Sequence, residues 1–177
     1  MVPEPVAELS KLVRAVPDFP KPGIIFRDIT PLLADSNGFG STVELLARRI
    51  EGHGATQLAA IEARGFLFGA ALAMRLGLPL QLIRKPGKLP WQTVGVDYQL
   101  EYGTDRLEMH RDAAGTGARV AVVDDVLATG GTAVAAIKLV ESLGARVCCV
   151  AAAVELQALG ARARLRDVPV ETLLVYA

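Results

Sequence analysis

The sequence is nearly without cysteine. The two it holds, Cys148 and Cys149, are adjacent on a predicted strand, where neighbouring side chains alternate between faces. That argues against a disulfide or a metal pair. An excess of one charge is also lacking, since 19 Lys and Arg balance 19 Asp and Glu. No broad basic surface invites nucleic acid or an anionic membrane, so an anionic ligand must be held by local groups. No apolar run is long enough to span a bilayer: the longest candidate, after Gly65, is broken by Arg75. The opening MVPEPVAELSK has no basic segment leading into an apolar run, so no secretory signal is expected. A cytoplasmic protein is the resulting expectation.

At 177 residues, 51% of them hydrophobic and 21% charged, the composition is that of a single globular domain. Its most informative stretch is RVAVVDDVLATGGTAVAAIKLVESLG, from Arg119 to Gly144. Val120 to Val123 form a short unbroken apolar run, as a parallel strand buried on both faces does. Asp124 and Asp125 are expected to end that strand, at the carboxyl edge where open α/β sheets bind ligands. Ala128, Thr129, Gly130, Gly131 and Thr132 then form a turn able to present N–H groups at the start of a helix. Carboxylates repel phosphate, so a site for phosphate alone would not keep two of them beside this cradle. A phosphorylated ribose resolves the conflict, because ionised Asp accepts hydrogen bonds from a diol. A P-loop is excluded, since Thr132 and not Lys follows the glycines. Gly115 and Gly117 precede the strand, so the dinucleotide fingerprint lacks its context.

VVDDVLATGGT resembles the phosphoribosyl pyrophosphate signature of the type I phosphoribosyltransferases. In that family the two acids contact the ribose hydroxyls and the turn holds the 5-phosphate. The motif also occurs in regulators that bind this ligand without catalysis, so activity needs separate support.

In chain order, Val6, Leu9, Val13 and Val16 predict an amphipathic helix ended by Pro17. Pro17, Pro20, Pro22 and Gly23 predict an extended connection into IIFRDITP, by punctuation alone a strand or arm. A helix over Phe39 to Ile50 closes at Gly52 and Gly54, leaving His53 in a surface loop. Leu58 to Ile61 reads as a second buried strand running into Glu62-Ala63-Arg64-Gly65. Arg64, at a strand end and a helix start, is placed for an anion. A third strand, Leu78 to Ile83, leads into a turn whose Arg84, Lys85 and Lys88, three basic residues in five around Pro86 and Gly87, read as an anion clamp. Trp91 to Gln99 reads as a polar connection, then Tyr98 to Met109 as a hairpin around Gly103-Thr104-Asp105. Strands at Val147 to Val154 and Val170 to Tyr176 complete the pattern. The alternation predicts an α/β fold: a doubly wound, mainly parallel sheet with helices on both faces.

The resemblance adds roles. DFPKPGIIFRDITPLL is similar to the amino-terminal segment of the adenine phosphoribosyltransferase family, a small hood in which backbone around Ile25, Phe26 and Arg27 reads adenine. EARGFLFG and RKPGKLP match the turns that bind pyrophosphate, implying Arg64, Arg84, Lys85 and Lys88. LEYGTD resembles the flexible catalytic loop, implying Glu101 as the proton-handling carboxylate and Tyr102 as its covering aromatic. Glu155 to Arg162 resembles a further turn of the family, without an assigned role. The implied organisation is one domain over 1–177, with helix and hood over about 1–35 and a core over about 36–177 carrying a flexible loop at 88–102. The implied reaction joins adenine to phosphoribosyl pyrophosphate, giving AMP and pyrophosphate, with Mg²⁺ held mainly by pyrophosphate in a homodimer that meets neither nucleic acid nor membrane. A transferase for another base and a non-catalytic regulator are the alternatives.

Overall fold

The computed structural model describes residues 5–100 and 103–177, apart from the side chains of Gln99 and Leu100. Its centre is a five-stranded parallel sheet of β3 (Gln57–Ile61), β4 (Leu80–Ile83), β7 (Arg119–Leu127), β8 (Arg146–Leu156) and β9 (Val170–Tyr176), in the order β4-β3-β7-β8-β9. The chain leaves β3 toward β4 at one edge, then returns to lay β7 on the opposite side of β3. That reversal makes a crevice at the carboxyl ends of β3 and β7, where open sheets of this kind place ligands.

Two helices cover one face, α3 (Ser36–Glu51) and α4 (Gly65–Leu76). The Asp35 carboxylate caps α3 by accepting from the Gly38 N–H at 2.7 Å. Leu46, Ile50, Phe68 and Leu72 are fully buried between these helices and the sheet. On the other face lie α5 (Gly131–Ser142) and an antiparallel ribbon, β5 (Thr93–Leu100) with β6 (Gly103–His110). Small residues, Ala133 and Ala136, bring α5 close to the strands, while Leu107 and Met109 seal the ribbon's buried side. The doubly wound architecture expected from the strand-helix alternation is therefore present. Among the described residues, no helix is long and apolar enough to cross a membrane.

Several local expectations change. The first helix, α1, covers only Val6–Lys11, and Arg14–Pro17 is instead a strand, β1, paired antiparallel with β2 (Ile25–Asp28). Tertiary pairing overrides the helical period here, and β-branched Val16 suits the strand opposite Phe26. A short α2 (Thr30–Ala34) follows the pair. The polar connection expected over Trp91 to Gln99 is mostly β5, whose Val94, Val96 and Tyr98 alternate toward the second core. Gly103, Thr104 and Asp105 belong to β6, the ribbon's last described pair being Leu100 with Gly103.

Cys148 and Cys149 do not face opposite sides. A β-bulge between Val120 and Ala121 of β7 leaves Val147 and Cys149 paired and Cys148 extra, so both thiols enter the same core. Hydrogen bonding between them lowers Cys148 to about 7 and pushes Cys149 upward. His53 is half-buried and tied to β9 through Glu171 at 2.8 Å, a more structural place than a bare surface loop.

Candidate active site

The acid pair does not end β7 but stands inside it. Beyond Val123 the ladder to β3 stops, whereas β8 continues as partner to Asp124, Val126 and Leu127. The carboxylates thus project where β7 has lost one neighbour, and a cleft of about 410 Å³ opens there.

Within that cleft the two acids differ. Asp125 is buried and carries the Arg64 guanidinium, whose Nε donates to its Oδ2. Asp124 is half-buried and accepts the Asp125 N–H at 2.8 Å. Burial, and then repulsion from Asp125, push the Asp124 carboxyl well above the usual carboxylate range. Arg64 compensates one charge of the pair directly, leaving Asp124 short of donors. A ligand that brings hydroxyl donors relieves that shortage.

Below the acids, Ala128 to Thr132 turn from β7 into α5. Gly130 takes a left-handed φ of 80° and precedes the first residue of the helix. Ala128 and Thr132 line the main cleft, and Thr129 and Gly130 line an adjoining cavity of about 70 Å³ beside Asp124. Orphan N–H groups and the positive end of a twelve-residue helix face this space. Gly131 lies on the opposite side of the turn, toward β5.

Glu62, Ala63 and Arg64 follow β3, and the Glu62–Ala63 peptide is cis. The basic turn after β4 does not gather into one clamp. Arg84 donates to Glu62 at 2.7 Å and to the Lys88 carbonyl at 2.9 Å, which fixes two turns to each other. Lys85 enters the cleft and bonds Asp105 of β6 and, at 3.4 Å, Tyr98 of β5. Burial pulls the Lys85 ammonium down, but these two partners outweigh it and the net shift is upward. Lys88 is exposed and outside the cleft lining.

The upper wall is the hood. Ile24 to Arg27 line the cleft, and among the described residues β2 pairs only with β1, so its outer edge presents backbone groups. Phe26 packs edge-on against Phe19 at 5.1 Å, with the Arg64 guanidinium 5.9 Å above its ring. The Arg27 side chain stacks on Tyr176 at 4.1 Å. Residues not singled out from sequence also contribute: Glu62 and Val126 line the cleft, as does Leu156 at the end of β8. Their signal was present only as proximity to strand ends. Glu101 and Tyr102, the residues implied for proton handling, lie outside the described residues.

A family model described as phosphoribosyl transferase domain matches residues 36–174. The chain is 54% identical over 168 residues to an adenine phosphoribosyltransferase of Roseiflexus sp., covering 95% of this chain and 98% of that protein. Adenine phosphoribosyltransferase of Thermoanaerobacter pseudethanolicus superposes with a TM-score of 0.94 at 49% identity, covering 97% of this chain and 100% of the other. The Saccharomyces cerevisiae enzyme, solved with D-2,5-dideoxy-2,5-imino-altritol 1,6-bisphosphate and adenine, gives 0.91 at 36% identity, over 96% and 98% of the two chains.

Proposed function

The chain belongs to the adenine phosphoribosyltransferases of the type I family, enzymes of purine salvage, and we propose that the crevice between β3 and β7 is where it works. One observation carries this reading: the acid pair, Ala128 and Thr132 at the two ends of a glycine turn, and the strand edge of the hood line one cleft.

In this reading Asp124 and Asp125 accept hydrogen bonds from the two ribose hydroxyls. Backbone amides from Ala128 to Thr132 hold the 5-phosphate. Arg64 and Lys85 line the cleft where pyrophosphate leaves, and Arg84 fixes the turn that carries Lys85 and Lys88. Adenine lies along the β2 edge near Ile25 and Arg27, with Phe26 and Leu156 as apolar surface. Adenine together with a bisphosphate in the yeast relative supports this pairing of subsites.

The bond from the anomeric carbon to pyrophosphate breaks as the bond to the purine nitrogen forms, and the nitrogen gives up a proton. No side-chain nucleophile takes part. The protein aligns sugar and base, answers the leaving charge and manages that proton, for which Glu101 is the proposed carboxylate, covered by Tyr102. Closure of the 91–102 segment would keep water from the activated sugar.

Magnesium fits the donor set in a limited way. Asp124 and Asp125 offer hard oxygens, but among the described residues no three metal-binding side chains converge. The ion would therefore be held mainly by pyrophosphate oxygens, as Mg²⁺ commonly is, and would supply neutralisation of the leaving group.

A second copy of the chain is the proposed partner of α4. Leu67 and Met74 on this helix and Leu82 on edge strand β4 are exposed apolar side chains. Sedimentation of the purified protein should give a dimer, and Met74→Glu a monomer; a monomeric parent protein would remove the proposal. A cytoplasmic setting, where phosphorylated sugars are made, completes the reading.

The test of function offers adenine, hypoxanthine, guanine and orotate separately with Mg²⁺ and phosphoribosyl pyrophosphate. AMP from adenine alone is expected. Nucleotide from another base would overturn the hood assignment, and binding without nucleotide would mean a regulator.

A further inference from the structure

Behind the phosphate turn lies a charged cluster to which the reading above gives no task. Glu155, the penultimate residue of β8, is 2% exposed, yet it is ionised by a bidentate partner. Arg162 Nε and Nη2 donate to its two carboxylate oxygens, each at 2.8 Å. The Thr172 hydroxyl of β9 donates to the same carboxylate at 2.5 Å and accepts from Arg162 at 3.1 Å. Arg162 also reaches the Val170 carbonyl at 3.3 Å. Both oxygens of the buried carboxylate are satisfied within the group, while the Arg162 side chain is half exposed at its outer side; the bidentate fork and the Thr172 hydroxyl fix the geometry of the pair.

Its position gives the cluster a consequence. Arg162 is the second residue of α6 (Ala161–Arg164), and Ala161 is buried against the phosphate turn. A side-chain carbon placed on Gly130 would come within 3.1 Å of the Ala161 α-carbon and 3.3 Å of its carbonyl oxygen. Gly130 is thus in backbone contact with α6, and its left-handed φ separately favours glycine. On the β8 side, Glu155 pairs in register with Leu127, one residue before the turn begins, and is followed by the cleft residue Leu156. The ion pair therefore grips the turn from both flanks, through the sheet at Leu127 and through Ala161 at Gly130.

We infer that Glu155 and Arg162 are positioning residues for the phosphate turn, fixing the Ala128–Thr132 backbone at the spacing a sugar phosphate needs. This rests on the assignment of that turn to the 5-phosphate. Neither side chain touches substrate; both act through Ala161 and Leu127.

The experiment measures ribose 5-phosphate affinity by calorimetry, and KM for each substrate with kcat, in the full-length protein. Two variants test the pair: Arg162→Lys keeps the charge but loses the bidentate fork, and Glu155→Gln with Arg162→Met together removes both charges. Small misplacements of positioning groups are felt steeply, so the double variant should lose roughly tenfold to a hundredfold in ribose 5-phosphate affinity. KM for phosphoribosyl pyrophosphate should rise in parallel, with KM for adenine little changed and Arg162→Lys intermediate. If melting temperature falls while both affinities hold, the pair is only structural and the inference is overturned. Should the double variant fail to fold, Thr172→Val, which removes one hydroxyl from the cluster, decides by the same readout. Thr132→Asp separates this inference from the reading it rests on. A carboxylate there suits the start of α5 but repels phosphate. Unchanged ribose 5-phosphate affinity in Thr132→Asp would remove the turn assignment itself, whereas loss there beside an unaffected double variant would remove only the positioning role.

Discussion

Arg64 lies directly on Asp125: the Nε of a half-exposed guanidinium donates to a carboxylate only 6% exposed. One side chain thus compensates the buried acid of the pair while standing in the cleft where pyrophosphate is proposed to leave. Binding substrate must either keep this contact or exchange it for phosphate oxygens.

Arg64→Ala should therefore act twice. Removing one partner of a buried ion pair is destabilising, here by about 1–2 kcal/mol because Arg64 is half solvated. Melting temperature should drop by roughly 2–8 °C, and pyrophosphate affinity should fall with it. Stability lost with pyrophosphate affinity intact would restrict Arg64 to a structural role.

Asp124→Asn should separate stability from function in the opposite direction. The Asp124 carboxyl is held above its ordinary range by burial and by Asp125, so its ionisation works against the fold. Such a group favours the fold below the ordinary carboxylate value of about 4 and loses that contribution as pH rises through its own elevated pKa. The Asn variant should melt higher than the parent at neutral pH, and the difference should vanish in acid. Sugar binding should weaken at the same time. A lower melting temperature at pH 7 would contradict the proposed charge balance.

Lys85 ties the ribbon to the cleft, through Asp105 and Tyr98. Asp105→Asn should loosen that tie, seen as faster amide exchange over 93–100 and 103–110. Bonding to Lys85 lowers the Asp105 carboxyl, so the tie is complete above the ordinary carboxylate range and lost as pH falls through the lowered value. Unaltered exchange at neutral pH would mean the ribbon is held by its core face alone.

Glu101→Gln should lower turnover with modest change in binding, since a proton acceptor near reaction pH contributes about a hundredfold or more. Intact turnover would show that the proton leaves by another route.

Much of this was legible in the residues. Val120 to Val123 read as a doubly buried strand because each is apolar and three are β-branched, and the strand stands there fully buried. Asp124, Asp125 and the glycine turn were legible because their chemistry conflicts unless one ligand satisfies both. What escaped was set by partners distant in sequence. Val13 and Val16 fit a helical period, and only the proximity of β2 put Val16 in a strand, with Val13 left in the bend before it. The alternation of Val94, Val96 and Tyr98 was readable but masked by interleaved polar residues. The bulge at Cys148 depends on β7, and the Arg84–Glu62 bond joins turns 22 residues apart. Arg84, Lys85 and Lys88 lie within five residues of sequence, whereas folding sends them to different places: Arg84 to Glu62, Lys85 into the cleft and Lys88 outward.

The most direct measurement compares phosphoribosyl pyrophosphate and free pyrophosphate binding, by calorimetry with Mg²⁺, in the parent and Asp125→Asn proteins. A charge-assisted hydrogen bond is worth roughly 1.5–3 kcal/mol, so the variant should bind the sugar diphosphate roughly ten- to 150-fold more weakly and free pyrophosphate about as well as the parent. Equal affinities for phosphoribosyl pyrophosphate would contradict the account, because the acid pair would then not read the sugar.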